Sequence, residues 1–248
     1  MPWKPRPMAD NLNNLVSHAN ELKTRLTWCL LILLGAAVVC YFFAETIAAA
    51  LFAPVFASQP LVAKLVYTKL TEAFVAYLKM SFLAGFLVTF PVLLYHFWRF
   101  VAPGLDAKEK KIAASVVGWG TFLFFAGALF SYFVVIPRLL TFLMGFAGPD
   151  ITPLPRLDSY LGFMLRTILA FGLAFQIPFL MVMARRVGIV SKEYFATNRK
   201  LFYIGLLILA FLLSAGEIAG SLIIALPLAG LYESGLLLGK LLGKQAPT

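Results

Sequence analysis

Six long apolar segments constrain this chain more than any motif in it. They run over about 26–43, 74–97, 112–136, 160–183, 201–213 and 219–238, with most charged residues between them. Hydrophobic residues make up 61% of the 248 and charged residues 13%, far more apolar surface than one soluble core could hide. The sequence therefore describes an integral membrane protein. Inside a bilayer the backbone must satisfy its own hydrogen bonds, and these runs lack the alternation of barrel strands, so all six are predicted as helices. The expected fold is all-α, a single polytopic domain over 1–248 with six transmembrane helices. The fifth segment is short: about 13 residues give ~20 Å of helix against a hydrocarbon core of ~30 Å. It either thins the bilayer or pairs with the sixth as a partly inserted hairpin.

The first segment, Leu26 to Phe43, follows 25 mostly polar residues and exceeds the ~7–15 residue core of a cleaved signal. "ETIAAALFA" beyond it carries small residues that could imitate a cleavage site, but the segment reads as a retained span. Orientation follows from Lys and Arg on alternate sides. Fifteen lie on the side of Lys23, Arg25, Arg99, Lys108, Lys110, Lys111, Arg185 and Arg186, and six on the side of Lys64, Lys69, Lys79, Arg138, Arg156 and Arg166. Both termini are thus expected in the cytoplasm. Residues 1–25 form a cytoplasmic segment in which "NLNNLVSHANELKTRL" spaces Leu12, Leu15, Val16, Ala19, Leu22 and Leu26 as a helix stripe, an amphipathic helix running into the first span. The outer loops "APVFASQPLVAKLVYTKLTE" and "GFAGPDITPLPRLDS" are rich in proline and long enough to pack as a cap.

A net charge of +10 would suggest nucleic acid in a soluble domain, but basic residues between apolar runs fix orientation instead, and no nucleic-acid partner is expected. Cys29 and Cys40 share the first span, three turns apart, too far to pair with each other. His18 and His96 belong to no metal-ligand or Ser-His pattern, and no Gly-rich phosphate loop occurs. No metal, cofactor or catalytic residue is expected, and the chain does not read as an enzyme. The polar groups that composition leaves unexplained are Lys79 early in the second span, Arg166 in the outer part of the fourth and Gln176 near its middle. Pro178 follows Gln176 and bends the helix, so the amide is either an interhelical hydrogen bond at the kink or a functional polar site. Arg166 reads as snorkelling to the outer interface; if buried, Asp158, Glu72 or Glu217 is the carboxylate to pair with it. Glu21 and Glu109 lie beside span entrances on the cytoplasmic side, either as ordinary surface charge or as carboxylates placed to bind guanidinium groups.

At these residues the sequence resembles TatC, the polytopic subunit of the twin-arginine protein translocase, over about residues 11 to 240. "HANELKTRL" is similar to the family's amino-terminal signature through His18, Glu21, Leu22, Arg25 and Leu26. "TKLTEAFVAYLKMSFLAGFLVTFPVLLYHFWRFVAPGL" matches in register at Thr68, Glu72, Phe74, Lys79, Pro91, Tyr95, Trp98, Phe100, Pro103 and Leu105, followed by Glu109. "SYFVVIPRLLTFL", "SYLGFMLRTILAFGLAFQIPF" and "ALPLAGLYESG" continue the match in order. The resemblance implies a glove-shaped six-helix bundle in the inner membrane of a prokaryote, both termini cytoplasmic, helices five and six short. It implies a receptor for Arg-Arg signal peptides that self-associates, recruits TatA-type and TatB-type single-span subunits, and exports folded cargo at the expense of the proton gradient. By matched position it carries Glu21, Glu109 and Arg25 into the signal-peptide site, with Phe100 and Pro103 shaping the adjoining loop. The chain departs from the family at Gln176, where many members carry glutamate, and at "LSAGEI", where a Pro-containing outer turn is common and Glu217 holds an acidic position. An alternative is the membrane subunit of an ABC-type solute transporter, since "EIAGSLIIALP" faintly echoes a permease coupling loop. That loop must face a cytoplasmic ATPase, whereas the charge count puts Glu217 outside. An intramembrane hydrolase would need a nucleophile with a base in facing spans, which neither histidine supplies.

Overall fold

The computed structural model describes residues 8–58, 65–101, 113–145, 154–186, 190–191, 193–214 and 218–241, with the backbone alone at 8–19, 58, 100–101, 113–115, 186, 219 and 240–241. The helices are α1 Met8–Tyr41, α2 Ala44–Ser58, α3 Glu72–Val101, α4 Ala113–Phe130, a π-helical turn Ser131–Val135, α5 Ile136–Met144, α6 Leu157–Ala174, α7 Gln176–Arg186, α8 Tyr194–Thr197, α9 Arg199–Leu213 and α10 Ile218–Leu241. Among the described residues, bridge-paired extended backbone is confined to one parallel bridge between Val66 and Arg156. Among the described residues, five stretches are long and apolar enough to cross a membrane: 20–41, 72–99, 116–144, 157–185 and 220–239. This all-helical, lipid-facing chain is a multi-pass membrane protein. The expected fifth segment is α9, whose 15 residues make ~22 Å of helix, short of the other spans as anticipated.

The chain divides into two compact units, Met1–Phe42 with Ser81–Thr121 and Phe43–Met80 with Phe122–Thr248. In the first, α1 runs without a break from the expected amphipathic segment into the first span. It meets α3 backbone to backbone: a Cβ on Gly85 would lie 2.8 Å from the Ala37 nitrogen. Small residues let membrane helices approach this closely, which restores van der Waals contact where no hydrophobic drive exists. Two residues before Pro91, Thr89 Oγ1 donates back to the Gly85 carbonyl at 2.7 Å.

In the second unit the core gathers Val135, Leu139, Phe171, Met181, Phe195, Ala210, Ile224, Leu228 and Tyr232. Glycines again set the closest approaches. A Cβ on Gly127 would stand 2.4 Å from the Phe171 carbonyl oxygen, and one on Gly172 would stand 2.6 Å from the Phe124 ring. Gly235 does the same for α10 on α7, where a Cβ would be 3.0 Å from Pro178 Cα.

Two features differ from the sequence expectation, and a third follows it. The third segment does not stop near 136 but continues through the π turn to Met144. Pro137 has no N–H to give the Phe133 carbonyl, and the ladder absorbs the defect with a wider turn, in which the Ile136 N–H reaches the Ser131 carbonyl. The fourth segment breaks into α6 and α7 at Phe175, the bend expected from Pro178, which cannot donate to the Ala174 carbonyl. Lastly, part of the expected outer cap is the helix α2, with Pro54 inside it. Pro54 leaves the Ala50 carbonyl without its ladder donor, and the Tyr132 hydroxyl takes that place at 2.6 Å. The Tyr160 hydroxyl donates to the neighbouring Leu51 carbonyl at 2.7 Å.

Candidate functional site

Glu21 and Arg25 stand one turn apart on α1, at the start of its apolar stretch. The Arg25 guanidinium donates from Nε at 3.0 Å and from Nη2 to the same oxygen, Glu21 Oε1. The Glu21 side chain remains 38% exposed. Of the other residues expected in this site, Glu109 and Pro103 lie outside the described residues, and Phe100 is placed by its backbone in the last turn of α3. Sequence reasoning passed over His96. In the same final turns of α3, His96 Nδ1 and Trp98 Nε1 are buried without a hydrogen-bond partner. Buried polar atoms in native proteins are normally satisfied, and the Thr121 and Ser131 hydroxyls share this state. No sequence spacing announced them, since the signal is the burial itself.

The polar residues of the second unit form a network around Glu72. Its side chain is 4% exposed. Oε2 accepts from the Thr68 N–H at 3.0 Å and from the Thr68 hydroxyl at 3.4 Å, and Oε1 accepts from the Asp158 N–H at 3.0 Å. Arg156 Nη2 sits 3.7 Å from Oε2 and donates to Thr68 Oγ1 at 3.0 Å. The bridge Val66–Arg156 adds two backbone bonds, Leu157 N–H to the Val66 carbonyl at 2.8 Å and Val66 N–H to the Pro155 carbonyl at 3.2 Å. Lys79 completes the set by pairing with Asp158 at 2.5 Å. One buried carboxylate thus ties residues 66–72 to the first turn of α6.

Arg166 reads from the sequence as snorkelling and, only if buried, as paired with Asp158, Glu72 or Glu217; Asp158 and Glu72 are engaged by Lys79 and by Arg156 with Thr68. Glu217 lies outside the described residues. The Arg166 side chain runs back along α6, with Nη2 3.2 Å from where a Cβ on Gly162 would be, and the residue is exposed. That is the direction of snorkelling. Gln176 is buried at 8% and opens α7 at the break, two residues before Pro178.

The family model for the Sec-independent protein translocase protein TatC matches residues 17–227. The chain is 36% identical over 232 residues to the TatC protein of Desulforapulum autotrophicum, covering 92% of this chain and 84% of the relative. It is 34% identical to that of Aquifex aeolicus, covering 92% and 95%. Among solved structures it is similar to the crystal structure of the twin arginine translocase receptor TatC, with a TM-score of 0.83, 33% identity, and coverage of 92% of this chain and all of that one.

Proposed function

Because this chain belongs to the TatC family of Sec-independent protein translocases, we propose that it is the receptor for Arg-Arg signal peptides in the inner membrane of a prokaryote. The observation that carries the reading is the full-length likeness to a solved twin-arginine translocase receptor. Glu21 and Glu109 bind the peptide guanidiniums, with Phe100 and Pro103 shaping the loop beside them. Arg25 orients Glu21 until a peptide guanidinium replaces it, a reading supported by the partly exposed pair on α1. The charge count places this end of the protein, and both termini, in the cytoplasm. In the same reading the receptor self-associates, recruits TatA-type and TatB-type subunits, and passes folded cargo at the expense of the proton gradient. Gln176 takes part by hydrogen bonding alone, since an amide does not titrate.

The test is binding of an Arg-Arg signal peptide and its Lys-Lys counterpart to the protein in lipid nanodiscs. Arg-Arg is expected to bind more tightly, because the guanidinium fork matches a carboxylate and the ammonium does not, and the preference should fall in Glu21→Gln and Glu109→Gln. Equal binding of the two peptides by the unaltered protein would sink the proposal.

A further inference from the structure

Within the second unit, α5, α6, α9 and α10 enclose a cavity of about 340 Å³. Its walls are mostly apolar, with Leu139, Phe163, Leu213 and Ile224 among them, and two groups offer polar contact to its interior, Arg166 and Ser159. A third wall residue, Ser214, is already engaged: its hydroxyl donates to the Phe211 carbonyl at 3.0 Å and bonds Ser221 at 2.7 Å. We propose that this cavity binds the phosphodiester headgroup of an anionic membrane lipid, with Arg166 as the anion-binding residue and Ser159 as a second donor.

Three observations converge on that ligand. First, Arg166 is an exposed cation bordering mostly apolar walls, which favours an anionic group beside it by charge complementarity, and the two described carboxylates considered as its partners are engaged by other cations. Second, the donor set fits a singly charged group. One guanidinium fork and one hydroxyl can satisfy a phosphodiester's two free oxygens, whereas a dianionic phosphate would leave lone pairs facing Leu and Ile side chains. Third, the depth is right. Arg166 lies nine residues into α6, ~13 Å along the helix from its start, but its guanidinium folds back to Gly162, and Ser159 is in the first turn. The polar groups therefore span the zone between the interface and the outer hydrocarbon. The volume suits a headgroup and not a whole lipid, so the acyl chains leave along the flanking helices, where Leu212 and Leu222 are exposed.

Native mass spectrometry of the protein released from nanodiscs of equal phosphatidylglycerol and phosphatidylcholine tests this. One phosphatidylglycerol should be retained per chain in excess of phosphatidylcholine. Arg166→Gln should lower that occupancy by about tenfold, the loss of one charge-assisted fork, and Arg166→Lys by less. Ser159→Trp alters an exposed position, keeps the charge and fills the space, and should lower occupancy as well; elution profile and helix content report that each variant is folded. Unchanged retention in Arg166→Gln would overturn the proposal. So would displacement of the lipid by excess inorganic phosphate, which would make the site one for a soluble anion. Retention that appears only in Glu217→Gln would also overturn it, by assigning the guanidinium to the chain's own carboxylate.

Discussion

Arg25 grips Glu21 through two nitrogens, yet a partly exposed pair one helical turn apart contributes only about 0.3–0.5 kcal/mol. A peptide guanidinium that brings its own paired hydrogen bonds offers about 1.5–3 kcal/mol, so the incoming ligand wins the exchange. Removing the internal competitor should then matter little: Arg25→Gln is expected to change Arg-Arg peptide affinity by no more than about twofold, whereas Glu21→Gln should cost about tenfold or more. Fluorescence titration in nanodiscs reads both, and a large loss in Arg25→Gln alone would mean that Arg25 itself contacts the peptide. Glu72 makes the opposite case, a carboxylate whose partners lie in its own unit. Glu72→Gln keeps an acceptor oxygen but loses the second one and the charge facing Arg156, so its unfolding midpoint should fall; Glu72→Ala, which leaves the Thr68 and Asp158 N–H groups unpaired, should fall further. If Gln and Ala proved equal, the backbone bonds would not be what holds residues 66–72.

Among the helices, glycine decides where two can touch. Gly127→Ala puts a carbon 2.4 Å from the Phe171 carbonyl oxygen, which belongs to backbone and cannot swing away, whereas Gly118→Ala meets nothing within 4 Å. The first should cost about 1–3 kcal/mol by forcing α4 and α6 apart, and the second should be neutral or gain about 0.4–1 kcal/mol; thermal unfolding in one detergent compares them directly. Much of the helical layout was legible in the sequence, because a bilayer demands long apolar runs and leaves few alternatives. What escaped was decided by tertiary contact. Proline at 54 looked like a loop marker, and only the Tyr132 hydroxyl, 78 residues downstream, makes it acceptable inside α2. The π turn before Pro137 was hidden likewise, since a ladder defect has no hydrophobic period of its own. At the candidate site the same division holds: Glu21 could be read from its position beside a span, while the Lys79–Asp158 pairing depends on a loop closure that sequence spacing does not encode.

The whole protein is uneven in thickness and in how firmly its parts are held. α9, at 15 residues, is ~22 Å long beside ~36 Å for the 24-residue α10, so a bilayer of ordinary ~30 Å hydrocarbon must compress beside α9 or leave its ends unmatched. The unfolding midpoint should accordingly be higher in nanodiscs of 14-carbon lipids than in those of 20-carbon lipids; the reverse order would mean that α9 lies partly inserted and feels no mismatch. Holding is uneven too. The most apolar stretch of α1 has none of its residues buried in the protein, against 39%, 44%, 50% and 33% for the four longer-held spans. It is the least buried of these spans, although it packs on α3 at Ala37, and both cysteines, Cys29 and Cys40, fall on that same helix and are half-buried. The native chain thus carries its own reporter pair on its least buried span, ready for thiol dyes or spin labels without any engineering. A solubilising detergent that strips annular lipid would register there first, as faster labelling, before the glycine-locked core gave any sign.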